Sequence, residues 1–151
     1  MALIPVAGSK FYIGTTATTA STDTFTLVGN VESLDKLQAT AADIKVDTID
    51  NPRTQHLKGQ IDGGTTQIKI AFAEGDTGQT ALAAAQADQT GVPYNIRWIL
   101  PNKQTSTGTG TTFDVKAQVA SFSYGGGGPN SEVTVDVSTY LTSAVTKTAA
   151  T

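Results

Sequence analysis

His56 is the only histidine in the chain. A Ser/His/Asp triad or a histidine-bearing zinc site would have to be built on it. It stands among Arg53, Gln55 and Lys58 in a polar stretch with no ligand spacing around it, and reads as an exposed loop histidine. Asp43, Asp47 and Asp50 raise the question of a carboxylate-bound cation. On a strand, however, Asp43 and Asp47 flank Lys45 on one solvated face, and the spacing of a calcium loop is absent. Asp62, Glu74 and Asp76 lie too far away in sequence for any spacing argument. Gly108-Thr109-Gly110 and Gly125 to Gly128 look like phosphate-cradling loops, but neither has the Gly-Lys-Ser/Thr ending or the strand–turn–helix context, so both read as hairpin loops. Trp98 and Tyr94 could form a sugar-stacking platform, yet their alternation with polar residues points to core packing. The chain has no cysteine, which excludes disulfides, thiolate metal sites and thiol catalysis. The reading is therefore of a protein without catalytic residues, metal or cofactor.

The elements that would position these residues are mostly strands. The one convincing helix runs over about residues 77–90. Asp76 is placed to cap it, Gln79 completes a capping-box spacing, and the alanine-rich run Ala81 to Ala87 has high helix propensity. Gly91 suits the left-handed turn that ends helices, and Pro93 prevents continuation. At this length the helix is marginal alone and must dock. Its helical periodicity puts Ala81, Leu82 and Ala85 on a docking face, with Gln79, Gln86 and Thr90 on another side.

Strands are predicted at Lys10 to Ile13 and Thr24 to Val31, the latter with Phe25, Leu27 and Val31 as anchors and Gly29-Asn30 as a turn or bulge. Others follow at Asp43 to Ile49 (Ile44 and Val46 inward), Thr65 to Ala73 (Ile68, Ile70 and Phe72 on one face), Tyr94 to Leu100, Thr111 to Tyr124 and Ser131 to Tyr140 (Val133, Val135 and Val137 on one face). Within Thr111 to Tyr124 the apolar phase shifts by one residue near Ala120, the mark of a bulge or sharp bend. The last two strands, joined by GGGGPN, read as an antiparallel hairpin. Residues 1–9 read as an N-terminal arm and 141–151 as a flexible Thr/Ala tail. Asp50 to Gly64 holds a proline, three glycines and no usable period, so it reads as a long loop. Structureless loops of that length are usually functional or disordered, which makes it the candidate for partner contact.

At 151 residues the chain reads as a single domain long enough to bury a core. Threonine is its commonest residue, there are 15 glycines, and only 15% of residues are charged, which moves the expectation to a mainly β protein. Six or seven antiparallel strands with one flanking α-helix make a β-sandwich or barrel. The net charge of −3 and the scattered basic residues do not offer the footprint of a specific nucleic-acid binder. No signal-peptide pattern or membrane-length apolar run is present, so a soluble protein made in a cytoplasm is expected.

Asp76-Thr77-Gly78-Gln79-Thr80-Ala81-Leu82, followed by Tyr94-Asn95-Ile96-Arg97, resembles the centre of the major tail tube proteins of phages with long non-contractile tails. The order of features around it agrees, from N-terminal arm to a closing Asn-Ser-Glu-Val-Thr-Val strand, over roughly residues 10–140. The resemblance implies a β-barrel or sandwich with a flanking helix, similar to type VI secretion tube proteins. It also implies hexameric rings that stack into a tail tube carrying the tape-measure protein and then DNA, located in the virion tail and assembled in the host cytoplasm with other tail proteins. By the same resemblance the long loop, with Asp50, Arg53, Gln55, His56, Lys58 and Asp62, contacts the neighbouring ring with help from the terminal arms. A tail-completion protein of the same fold and a carbohydrate-binding or adhesin-type β-sandwich module using Trp98, Tyr94 or Tyr124 stand as alternatives, the latter requiring aromatics on the outside.

Overall fold

The computed structural model describes residues 2–151; of the arm expected over residues 1–9, Met1 lies outside the described residues. Ten strands and one α-helix follow in the order β1 (Lys10–Ile13), β2 (Thr26–Val28), β3 (Val31–Leu34), β4 (Thr40–Val46), β5 (Gln55–Asp62), β6 (Thr65–Ala71), α1 (Thr77–Ala87), β7 (Tyr94–Ile99), β8 (Thr112–Gly125), β9 (Thr134–Leu141) and β10 (Thr146–Thr148), with a single 3-10 turn at Ala20–Thr22 between β1 and β2. All pairings are antiparallel, and the main sheet runs β2-β1-β7-β8-β9-β6-β3, with β10 beside β8. β4 and β5 form a separate two-stranded sheet.

The two ends of the main sheet, β2 and β3, are consecutive in the chain and separated only by Gly29 and Asn30. Val28 and Val31 are three residues apart, so they can be no more than about 11 Å from each other. The sheet must therefore curl until its ends meet, which makes it barrel-like. Asn30 takes a positive φ of 59° to turn that corner, and its carbonyl accepts the N–H of Ala71 from β6. The corner also reverses the expected phase of β2: Val28 points into the core and Leu27 outward.

Inside the curl lie Phe11, Ile13, Ile96, Val115, Ala117, Ile68, Ile70, Val135 and Val137. Leu82 and Ala85 of α1 are buried among them and Ala81 packs at the margin. The helix lies against β8, β2 and β1. It approaches β2 closely because Gly78 has no side chain there: a Cβ would strike the carbonyl oxygen of Leu27. Asp76 caps the helix, its Oδ1 accepting the N–H groups of Gly78 (2.9 Å) and Gln79 (3.0 Å).

Gln79 departs from the capping-box expectation. It is buried, and its amide accepts from the Ala73 N–H while donating to the carbonyls of Gly29 and Ala71. It thus ties the helix to the ends of β2 and β6. The helix stops at Ala87, short of the expected 90. The Oδ1 of Asp88 accepts the Thr90 N–H, and its Oδ2 accepts the Tyr94 hydroxyl. Gly91 has a positive φ of 77°, but it serves the connection rather than the helix end.

The phase shift in the long strand is a register shift between Val119 and Ser121, where β8 passes β9. Beyond it the strand ends with Phe122 partly buried and Tyr124 exposed. Tyr124, Phe72 and Val133 lie largely outside, not in the inward phase expected of them.

Two segments expected to be irregular are strands. The tail after Leu141 returns as β10 beside Thr112–Asp114, and the Thr151 carbonyl accepts the N–H groups of Gln104 and Thr105. It docks through backbone pairing and the hydroxyls of Thr142, Ser143 and Thr151, with Val145 its one apolar residue packed on the core, which leaves no apolar period to read. The stretch 50–64 is the second case.

Candidate functional site

The expected loop at 50–64 is for most of its length the strand β5, paired with β4 as a hairpin. The register sets Lys58 opposite Asp43, Leu57 opposite Ile44, His56 opposite Lys45 and Gln55 opposite Val46, with a bulge between Ala41 and Asp43. Residues directly opposite share a face. One face therefore carries Ile44, Val46 and Leu57, and the other carries Asp43, Lys45, His56 and Lys58. The Nδ1 of His56 lies 2.9 Å from Asp43 Oδ1 and 3.0 Å from its Oδ2. This exposed diagonal pair stiffens the charged face.

The hairpin projects from the body. No other element shares more than glancing contact with it. Its apolar residues are consequently uncovered: Leu57 is 57% exposed, Ile61 68%, and Ile49 in the connecting turn fully so. The expectation that Ile44 points into a core is corrected by this geometry, since it lies half exposed on a sheet with nothing behind it. Apolar side chains grouped on a solvent-facing element mark a surface awaiting a partner.

The six polar residues expected to act together are spread over this element. Asp50 and Arg53 sit at the exposed tip, where the Arg53 N–H donates to Asn51 Oδ1 (3.1 Å). His56 and Lys58 share the charged face, while Gln55 lies beside Val46 on the apolar one. Asp62 is at the base, where its carboxylate accepts the Gly64 N–H (2.8 Å). The apolar residues Ile44, Leu57 and Ile61 went unassigned to the site. Leu57-x-Gly59-x-Ile61 does keep a period of two, but the glycine conceals it.

The charged groups on the body have structural work. Arg97 Nε donates to Asp114 Oδ1 at 2.7 Å, and its guanidinium lies 4.0 Å over the Phe25 ring. Trp98 stacks on Phe113 across the β7–β8 pair, with 5.4 Å between ring centres. Burial alone would raise the pKa of Asp23, but hydrogen bonds from Thr15, Asn95 and Thr24 outweigh it and hold the carboxyl below its ordinary value. The hydrogen bond to Asp88, with burial and its charge, raises the phenol of Tyr94. Glu132 is pushed up by its hydrogen bond and like charge with Glu32, which in turn lies 3.7 Å from Lys69. Among the described residues, no three His, Asp or Glu side chains gather as metal ligands.

Solved structures with this fold include chains from phage tails and contractile injection systems. A chain of the sheath/tube terminator of the extracellular contractile injection system PVC superposes with a TM-score of 0.74 over 99% of both chains, at 16% identity. The SPP1 tail tube gives 0.66 over 96% of this chain and 80% of that one, also at 16% identity. A chain from the tail of an empty GTA particle, refined with C6 symmetry, gives 0.63 over 92% and 96%, at 15% identity. The chain has the fold of tail tube proteins. No protein-family model and no curated protein sequence matches it, so at these identities the likeness is one of tail tube fold. Within that fold the β4–β5 hairpin is an element whose apolar surface the chain itself leaves open.

Proposed function

We propose that this protein is a structural subunit of a phage-type tail tube, self-assembling into hexameric rings that stack into a hollow conduit. The observation that carries the reading is the β4–β5 hairpin. A lone two-stranded hairpin is marginally stable in water, and this one exposes an apolar face as well as both strand edges. Such an element gains stability when another subunit covers its face or extends its edges. The tail tube fold supports the same reading, and the C6 symmetry of the GTA tail supports six subunits to a ring.

In this role the tape-measure protein, and later DNA, occupies the lumen, and other tail proteins close the ends of the tube. The protein belongs to the virion tail, is assembled in the host cytoplasm and is not catalytic. Asp50, Arg53, Gln55, His56, Lys58 and Asp62 lie at the contact between rings, carried there by the hairpin. A net charge of −3 suits a conduit, because a basic wall would hold DNA back by a salt-dependent attraction to its phosphates.

The exposed aromatics open to the binding-module alternative are Phe72, Tyr124 and Tyr140; Phe72 and Tyr124 stand at 81° to one another rather than forming a flat platform. Replacing 40–62 by a short Gly/Ser linker tests the assembly reading. The variant should remain folded by circular dichroism and form no tubes by electron microscopy. Tubes of ordinary length from it would refute the role given to the hairpin.

A further inference from the structure

The hairpin joins the barrel at the start of β6: Asp62 ends β5, and Thr65 begins β6 after Gly63 and Gly64. At the other end of β6, roughly 20 Å away at about 3.3 Å per residue, lies a second uncovered apolar surface. Phe72 follows β6 directly, and its N–H donates to the Val133 carbonyl at 2.9 Å. Its ring meets Tyr124 edge to face at 5.5 Å, and Tyr124 meets Phe122 in the same way at 5.4 Å. With Ala83 of α1 these rings wall an open groove of about 270 Å³. Tyr124 is 63% exposed, and Val133 is half exposed beside it.

We propose that this groove on one copy receives the apolar face of the hairpin, Ile44 and Leu57, from a second copy. The proposal rests on the self-assembly reading above. The two surfaces match in chemistry: branched aliphatic side chains on a narrow two-stranded ribbon face a groove of aromatic rings. They cannot satisfy one another within one chain, because they leave opposite ends of the same strand and the hairpin projects free of the barrel. Their placement also fixes the kind of contact. Each copy that docks its hairpin still presents an open groove, and each filled groove leaves that copy's own hairpin free. The contact is heterologous, so it continues from copy to copy rather than stopping at a pair, and because hairpin and groove leave opposite ends of β6 it runs along that strand from one copy to the next. Two hairpins pairing face to face would instead stop at a dimer.

The absence of cysteine gives a clean background for crosslinking. A Leu57→Cys/Tyr124→Cys double variant, oxidised with copper–phenanthroline under conditions where the wild type assembles, should run on a non-reducing gel as a ladder of dimers, trimers and higher species. Either single variant should stop at dimers. In a second arm, Leu57→Asp and Tyr124→Asp each fail to stack by light scattering, while an equimolar mixture gives paired units, one of each variant, and grows no further. Both positions are exposed, so both variants should keep the wild-type circular dichroism. If the wild type assembles and the double-cysteine variant gives no ladder beyond the single variants, the groove is not the hairpin's receptor and this inference falls alone. A wild type that stays monomeric at every concentration overturns both this inference and the assembly reading beneath it.

Discussion

Ile44 and Leu57 face each other across the β4–β5 hairpin, and among the described residues no other strand or helix packs on the face they share. Charging that face should therefore leave the isolated subunit almost untouched. Ile44→Asp is expected to change unfolding stability by no more than about 0.5 kcal/mol, the usual range for surface positions away from packed features. Assembly, read by light scattering, should be lost. A large fall in stability with assembly intact would mean that the face packs against the subunit's own body.

The helix presents the opposite case. Leu82 is fully buried between α1 and the sheet. Leu82→Ala should cost about 2–5 kcal/mol in urea unfolding through lost burial and the cavity left behind. Gly78→Ala should also destabilise, by about 1–3 kcal/mol, although alanine is the better helix former. The new methyl would press on the Leu27 carbonyl and force α1 away from β2. A Gly78→Ala protein as stable as the wild type would place the helix too close to β2 in this description.

Gln79 holds three backbone groups with one side chain. Gln79→Ala leaves the Ala73 N–H and the carbonyls of Gly29 and Ala71 without that partner where solvent is largely excluded. The expected loss is about 1–3 kcal/mol in unfolding free energy. Hydrogen exchange should quicken at Ala73 in particular, and unchanged protection there would show that the amide bond is dispensable.

Asp23 supplies a pH dependence with a definite sign. Its carboxyl is held below the ordinary value of 3.8 because hydrogen bonds to the charged form outweigh burial. The native state therefore binds this proton less readily than the unfolded chain. The stabilisation is complete above the ordinary carboxylate value and is lost as the pH falls through the lowered native value. Asp23→Asn should be less stable than the wild type at pH 7 and should show a shallower loss of stability in acid. Urea titrations between pH 7 and pH 3 would reveal it, and matching curves for the two proteins would remove Asp23 from the account.

Legibility followed burial. The helix could be read because Asp76 caps it and an unbroken alanine run follows. The β8 bulge could be read because buried Val115, Ala117 and Val119 fix the inward phase before it breaks. β5 could not, because a period-two pattern records one buried face and the hairpin buries neither; Leu57, Gly59 and Ile61 keep the period without the contrast. β10 was illegible for a related reason, since Thr146–Thr148 pairs through backbone alone and all three residues are exposed. Gln79 misled because its amide serves the backbone ends of two distant strands, a role with no local signature. The same limit hid the candidate site. Its polar residues stood out in the sequence, while Ile44 and Tyr124 looked like ordinary core residues and Leu57 lay in a stretch without a readable period.

Electron microscopy of the purified protein over a series of concentrations, with light scattering on the same samples, tests self-assembly most directly. Rings or hollow tubes of uniform width, growing in number with concentration, are the expected result. Particles of a single-subunit mass at every concentration would contradict it.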